Sequence, residues 1–107
     1  MLPTKRIPTH PGAMLVEEFL NPMGVTQSRL AEHIGVPVQR INEIVRAKRG
    51  VTPDTAILLS AALGTTAEFW INLQTSHELA RARAAVRRQP KVLTVGRRQA
   101  VVAAKKK

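Results

Sequence analysis

Cysteine and tyrosine are absent from this chain of 107 residues, and its aromatics are Phe19, Phe69 and Trp70. Without cysteine there can be no disulfide framework, no thiolate zinc site and no thiol catalysis. Three aromatics are too few for the stacking platforms that hold single-stranded RNA. His10, His33 and His77 stand far apart with no metal-ligand spacing among them, so no metal or other cofactor is expected. Long apolar runs are missing as well: the stretch 56–63 is broken by Ser60 and is far too short to cross a bilayer. Lys5 and Arg6 are followed by Glu17 and Glu18, which interrupt the apolar region a secretory leader would need. The expectation is a soluble cytoplasmic protein without a membrane partner.

Acidic residues are scarce, and their distribution says more than their number. Seven Asp and Glu face 17 Lys and Arg, for a net charge of +10. Residues 1–80 balance to zero, so the whole excess lies in residues 81–107, which contain no acid. A block of one sign is a solvated tail attracted to polyanions, nucleic acid first among them. Catalytic pairings are also wanting. Glu17 and Glu18 are neighbours on a helix and so diverge by about 100°. With no nucleophile beside a base and no phosphate-cradling glycine loop, enzymatic activity is not expected.

What is present is helical. A hydrophobic fraction of 44% supports one compact core, and the apolar spacing before residue 90 follows the helical period. The reading is an all-α domain of five helices over residues 11–88, preceded by an arm (1–10) and followed by a basic, flexible tail (89–107). Met14, Leu15, Phe19 and Leu20 mark the first helix, ended by Pro22 and Gly24. Thr26 caps the second, in which Leu30, Ala31 and Ile34 face inward and Gly35 is the stop. Pro37 opens the third, with Ile41, Ile44 and Val45 inward. Thr52-Pro53-Asp54 starts the fourth, which runs to Gly64. Thr65 or Thr66 caps the fifth, Thr65 with Glu68 as a capping box. That helix carries Phe69, Trp70, Leu73 and Leu79, extends toward Arg88 and is stopped by Pro90. The run 91–95 is left as coil, because it has no partner strand.

Function concentrates in the second and third helices. Two short helices around Gly35, with Ala31 permitting close crossing and Val36 plugging the corner, have the layout of a helix-turn-helix DNA reader. Gln39 suits an adenine edge, Arg40 a guanine or phosphate, and Val38 a thymine methyl, with Asn42, Glu43 and Arg46 on the same outward side. Gln27, at the start of the preceding helix, is placed to meet a phosphate. Arg46, Lys48 and Arg49 cluster just beyond the reader as a candidate phosphate clamp. A solvated polar face and a solvated corner are the competing readings of the same residues. Trp70 is read as core or dimer interface, and Leu73 and Leu79 as dimer interface.

Residues 9 to about 80 resemble the HigA family of antitoxins, within the lambda-repressor-like (Xre/Cro) helix-turn-helix group. The resemblance is carried by His10-Pro11-Gly12, Glu18-Phe19-Leu20, Pro22-Met23-Gly24, Gly35-Val36-Pro37 and Arg40-Ile41-Asn42-Glu43-Ile44-Val45. It continues through Lys48-Arg49-Gly50, Thr52-Pro53-Asp54-Thr55 and Glu68-Phe69-Trp70-Ile71-Asn72-Leu73-Gln74. It implies a dimeric repressor of its own operon that binds operator DNA and silences a HigB-type toxin similar to RelE-type messenger-RNA ribonucleases. The basic tail departs from the family pattern, as does Val38, where members often carry a proline or a polar residue. A solitary Xre-type regulator without a toxin, and a basic nucleic-acid-associated structural protein, remain the alternatives.

Overall fold

The computed structural model describes residues 8–94. The arm before Pro8, and the part of the basic tail beyond Thr94, lie outside the described residues. Within them the chain forms five helices and no strand.

The first helix, α1, is built from three abutting segments: Pro11–Met14 in α geometry, Leu15–Leu20 wound as a π-helix, and Asn21–Met23 in α geometry again. The wide turn closes with the Asn21 N–H reaching back to the Val16 carbonyl. Pro22 therefore does not end this helix, as the sequence suggested. A proline ring clashes with the carbonyl four residues back in a regular α-helix, and the wide turn just before it relieves that crowding. The true stop is Gly24, left-handed at φ 66°.

The remaining helices are α2 (Gln27–Ile34), α3 (Val38–Val45), α4 (Pro53–Leu63) and α5 (Ala67–Ala85). Thr26 caps α2 by accepting from the Arg29 N–H at 3.0 Å. Gly35 ends it in the left-handed conformation. Pro37 sits one residue outside α3, extended at ψ 142°, instead of occupying its first turn. Thr52 precedes α4 without capping it through its side chain and pairs instead with the Thr55 hydroxyl at 3.2 Å. The choice at α5 falls on Thr66, which accepts from the Phe69 N–H at 3.0 Å. Thr65 has another partner: its hydroxyl accepts from the Trp70 indole N–H at 2.7 Å, so the Thr65–Glu68 capping box is not formed. The helix stops at Ala85, one turn short of Arg88.

One core joins all five helices: Leu15 and Leu20 from α1, Leu30 and Ala31 from α2, Ile41 and Ile44 from α3, Ala56 and Leu59 from α4, and Trp70 from α5, with Val51 from the loop before α4. Phe19 and Phe69 flank the indole, with ring centroids 5.5 and 5.0 Å from it. Trp70 is fully buried, with its one polar atom bonded inside the chain. It belongs to the core and has no surface to offer a second subunit, which corrects its assignment to a dimer interface. Gly12 allows a backbone-on-backbone approach, because a Cβ there would overlap the Ile44 carbonyl. The start of α1 is thereby seated against the end of α3.

Candidate nucleic-acid interface

The unit formed by α2 and α3 is fixed at both ends of its turn. Gly35, at φ 79°, and the Val36 N–H, bonded to the Ala31 carbonyl at 3.0 Å, swing the chain so that α3 crosses α2 at once. On the outer side the Asn42 amide donates to Gln27 Oε1 at 3.3 Å, a side-chain bond across the two helices. Gln27 and Asn42 are both half-buried. Asn42 therefore orients Gln27, a role that its outward position on the helix did not reveal.

Ile41 and Ile44 bury one side of α3, while Val38, Gln39 and Arg46 stand exposed on the other. Arg40 is half-buried, at the edge of this face. Val38 is 46% exposed, an apolar group held in solvent at the first turn of the helix. The residues picked as base readers are thus brought together on the free side of α3, with Gln27 beside them.

Beyond α3 the chain turns through Ala47, a non-glycine residue in the left-handed region at φ 61°. The L-side chain is disfavoured there by about 1–2 kcal/mol. The turn is held by the Glu43 carbonyl, which accepts from the amides of Lys48 at 2.8 Å and Arg49 at 3.2 Å. Lys48 is exposed and free to meet an anion. Arg49 is exposed but engaged, its Nε donating to Glu43 Oε1 at 2.8 Å, the one ion pair among the described residues. The expected clamp of Arg46, Lys48 and Arg49 therefore has an internal anion built into it.

Gln74 of α5 was missed as a positioning residue. It is buried, accepts from the Val51 N–H at 2.9 Å and donates to Glu78 at 2.7 Å. Gly50 packs directly on its amide, with no room for a Cβ. The loop that displays Lys48 and Arg49 is thereby stapled to α5. The place of Gln74, four residues after Trp70, puts it on the same side of the helix, but nothing in the sequence names Val51 as its partner.

At the other end, His10 caps α1, its Nδ1 accepting from the Gly12 N–H at 2.9 Å. His77 lies edge-on to it at 4.9 Å and donates from Nδ1 to the Pro8 carbonyl at 2.8 Å. Burial, then the neighbouring His77 and Arg81, hold the His10 pKa below its ordinary value, with Glu78 pulling the other way. Leu73 is half-buried, and Leu79 is 44% exposed on the outer half of α5. Among the described residues no cluster of His, Asp and Glu could hold a metal ion, and no helix is long and apolar enough to cross a membrane.

The Helix-turn-helix family matches residues 16–70, which take in α2, α3 and α4 entire. The chain is 49% identical over 70 residues to virulence-associated protein I of Dichelobacter nodosus, covering 65% of each protein. It is 46% identical over 80 residues to antitoxin HigA-1 of Vibrio cholerae, covering 74% of each. The solved structure of Pseudomonas aeruginosa antitoxin HigA with the higBA promoter superposes with a TM-score of 0.71 at 42% identity, over 73% of this chain and 85% of that one. This chain belongs to the helix-turn-helix family of regulators, among its HigA-type antitoxins.

Proposed function

We propose that the chain binds double-stranded operator DNA as a two-fold dimer, represses its own operon and neutralises a HigB-type, RelE-like toxin that cuts messenger RNA. The observation that carries the DNA reading is the free face of α3. Val38 and Gln39 are exposed on its first turn, and the Gln27–Asn42 bond fixes that helix to its neighbour. Such a helix enters the major groove with its first residues against base edges. Lys48 then meets the phosphates alongside. One domain covers one half-site, so a two-fold pair with half-sites about 34 Å apart reads a palindrome. Leu79 and the half-buried Leu73 on α5 supply its apolar contact. The toxin half of the proposal is supported by the antitoxin relative, alike over three quarters of its length.

Two measurements test the two halves separately. The full chain is titrated against a duplex from its own promoter and against a shuffled duplex of the same composition, at two salt concentrations. Tighter binding to the promoter supports the repressor reading, and equal binding to both overturns it. The chain is then coexpressed with the product of the adjoining reading frame and purified through a tag on that product. Recovery of a stoichiometric complex supports the antitoxin reading, and its absence leaves a solitary regulator.

A further inference from the structure

The free face of α3 carries one group of the wrong sign for a polyanion. Residues four apart lie on one side of a helix, so Glu43 follows Gln39 along the outward face, one turn further on. The two share a shallow hollow of about 230 Å³ with Pro37, Arg40 and Arg49. Glu43 is an acceptor-only side chain among donors, two-thirds buried, with its carboxylate fixed by Arg49 Nε at 2.8 Å. Facing DNA, a carboxylate is repelled by phosphates and by the acceptors of guanine and thymine. It is matched by the amino group of cytosine, which offers the major groove a donor alone. Adenine also offers an amino group, but its N7 acceptor lies beside it and would oppose the carboxylate.

We propose that Glu43 selects a cytosine within the operator and that Arg49 aims it. This rests on the reading of α3 as the groove-entering helix. Arg49 spends its Nε–H on Glu43, which leaves the Nη hydrogens of the same planar group for a phosphate. One guanidinium therefore orients the carboxylate and ties it to the backbone of the base it reads. Glu43 is a specificity-determining residue, and Arg49 is its positioning residue. A lysine at position 49 would keep the charge but lose the fork.

The test is selection of duplexes from a randomised pool by the full-length wild type, Glu43→Gln and Arg49→Lys, followed by titration of the winning duplex. Glutamine is nearly isosteric and still accepts from Arg49, so the loop is retained. The wild type is expected to demand cytosine at one position of each half-site. Glu43→Gln is expected to select the same motif with that demand lost. Replacing the cytosine by thymine should then weaken the wild type about tenfold and Glu43→Gln hardly at all. Arg49→Lys should relax the same position while the dependence on salt stays as steep. Identical motifs for wild type and Glu43→Gln would overturn the proposal. So would uniform weakening of every position by Glu43→Gln, which would make Glu43 a loop-holding residue. Undiminished demand for cytosine in Arg49→Lys would overturn the role of Arg49. A wild type that enriches no motif would bring down the groove-reading assignment itself, a failure visible before any variant is compared.

Discussion

The α2–α3 unit and the outer half of α5 are both helical, yet they are helical for different reasons. The first is closed by local chemistry: Thr26 and Gly35 bound α2, and the Gln27–Asn42 bond joins it to α3. Its apolar residues Leu30, Ala31, Ile41 and Ile44 are all in the core. In α5 the buried residues, Trp70 and Gln74, lie in the first half, and residues 81–85 are all exposed. That outer half is sustained by the high helix propensity of alanine and arginine, with little packing. Shape is therefore fixed where both helices share the core, and surface remains where the packing ends. The α2–α3 unit is held in place because its apolar side is part of the core, whereas the far end of α5 packs little and is the surface we propose for a second chain.

The most severe way to break that contrast is to attack what the two regions share. Trp70→Ala removes the indole that α1 and α5 pack around, together with its bond to Thr65, and should cost about 3–5 kcal/mol in urea unfolding. The reader should be lost along with α5, as one cooperative transition. Leu79→Glu, on the outer half, should leave the melting temperature nearly unchanged and shift the chain to monomer in sedimentation. If Leu79→Glu melted like Trp70→Ala, the outer half would belong to the core and the contrast would fail.

Within the reader, Gln39→Ala should cost about 1–3 kcal/mol on the preferred duplex and little on random DNA. Its melting curve should stay put, because the side chain is exposed. Equal weakening on both duplexes would make Gln39 a phosphate contact.

How much of this was legible follows the same division. Caps and stops are local chemistry, so Thr26, Gly35 and Gly64 stand where the sequence placed them. The inward faces of α2 and α3 were legible from period alone. What escaped was decided by partners far along the chain. Thr65 gave up capping because Trp70 needed an acceptor. Ile57 is 59% exposed although it looks like core, because α4 turns Thr55, Ala56 and Leu59 inward. Gln74 and the Glu43–Arg49 pair were invisible as positioning devices, since nothing in their spacing announces Val51 or the turn at Ala47 as their setting.

That turn supplies a smaller, oppositely signed prediction. Ala47 holds a left-handed φ that glycine adopts without strain, so Ala47→Gly should stabilise the fold by about 1 kcal/mol. The gain is read as a raised urea midpoint with unchanged slope. A loss would mean that the added freedom of the unfolded chain outweighs the strain.

The smallest effect expected concerns the contact that ties the start of α1 to the middle of α5. His10 can accept from the Gly12 N–H through Nδ1 when that atom carries no proton. Around the ring, His77 and Arg81 of α5 oppose a positive charge and Glu78 favours one, but burial is the largest influence, and the net result is a pKa below 6.5 in the folded chain. A histidine with a lowered folded pKa takes up its proton more readily when unfolded. Stability from this site is therefore complete above the unfolded value, falls as the pH drops through it toward the folded value, and then levels off. His10→Asn keeps an acceptor at the helix cap and removes the titrating ring. Melting temperatures measured from about pH 7.5 down to about pH 5 should fall less for His10→Asn than for the wild type. Parallel curves would assign the acid sensitivity to another group and leave His10 as a cap alone.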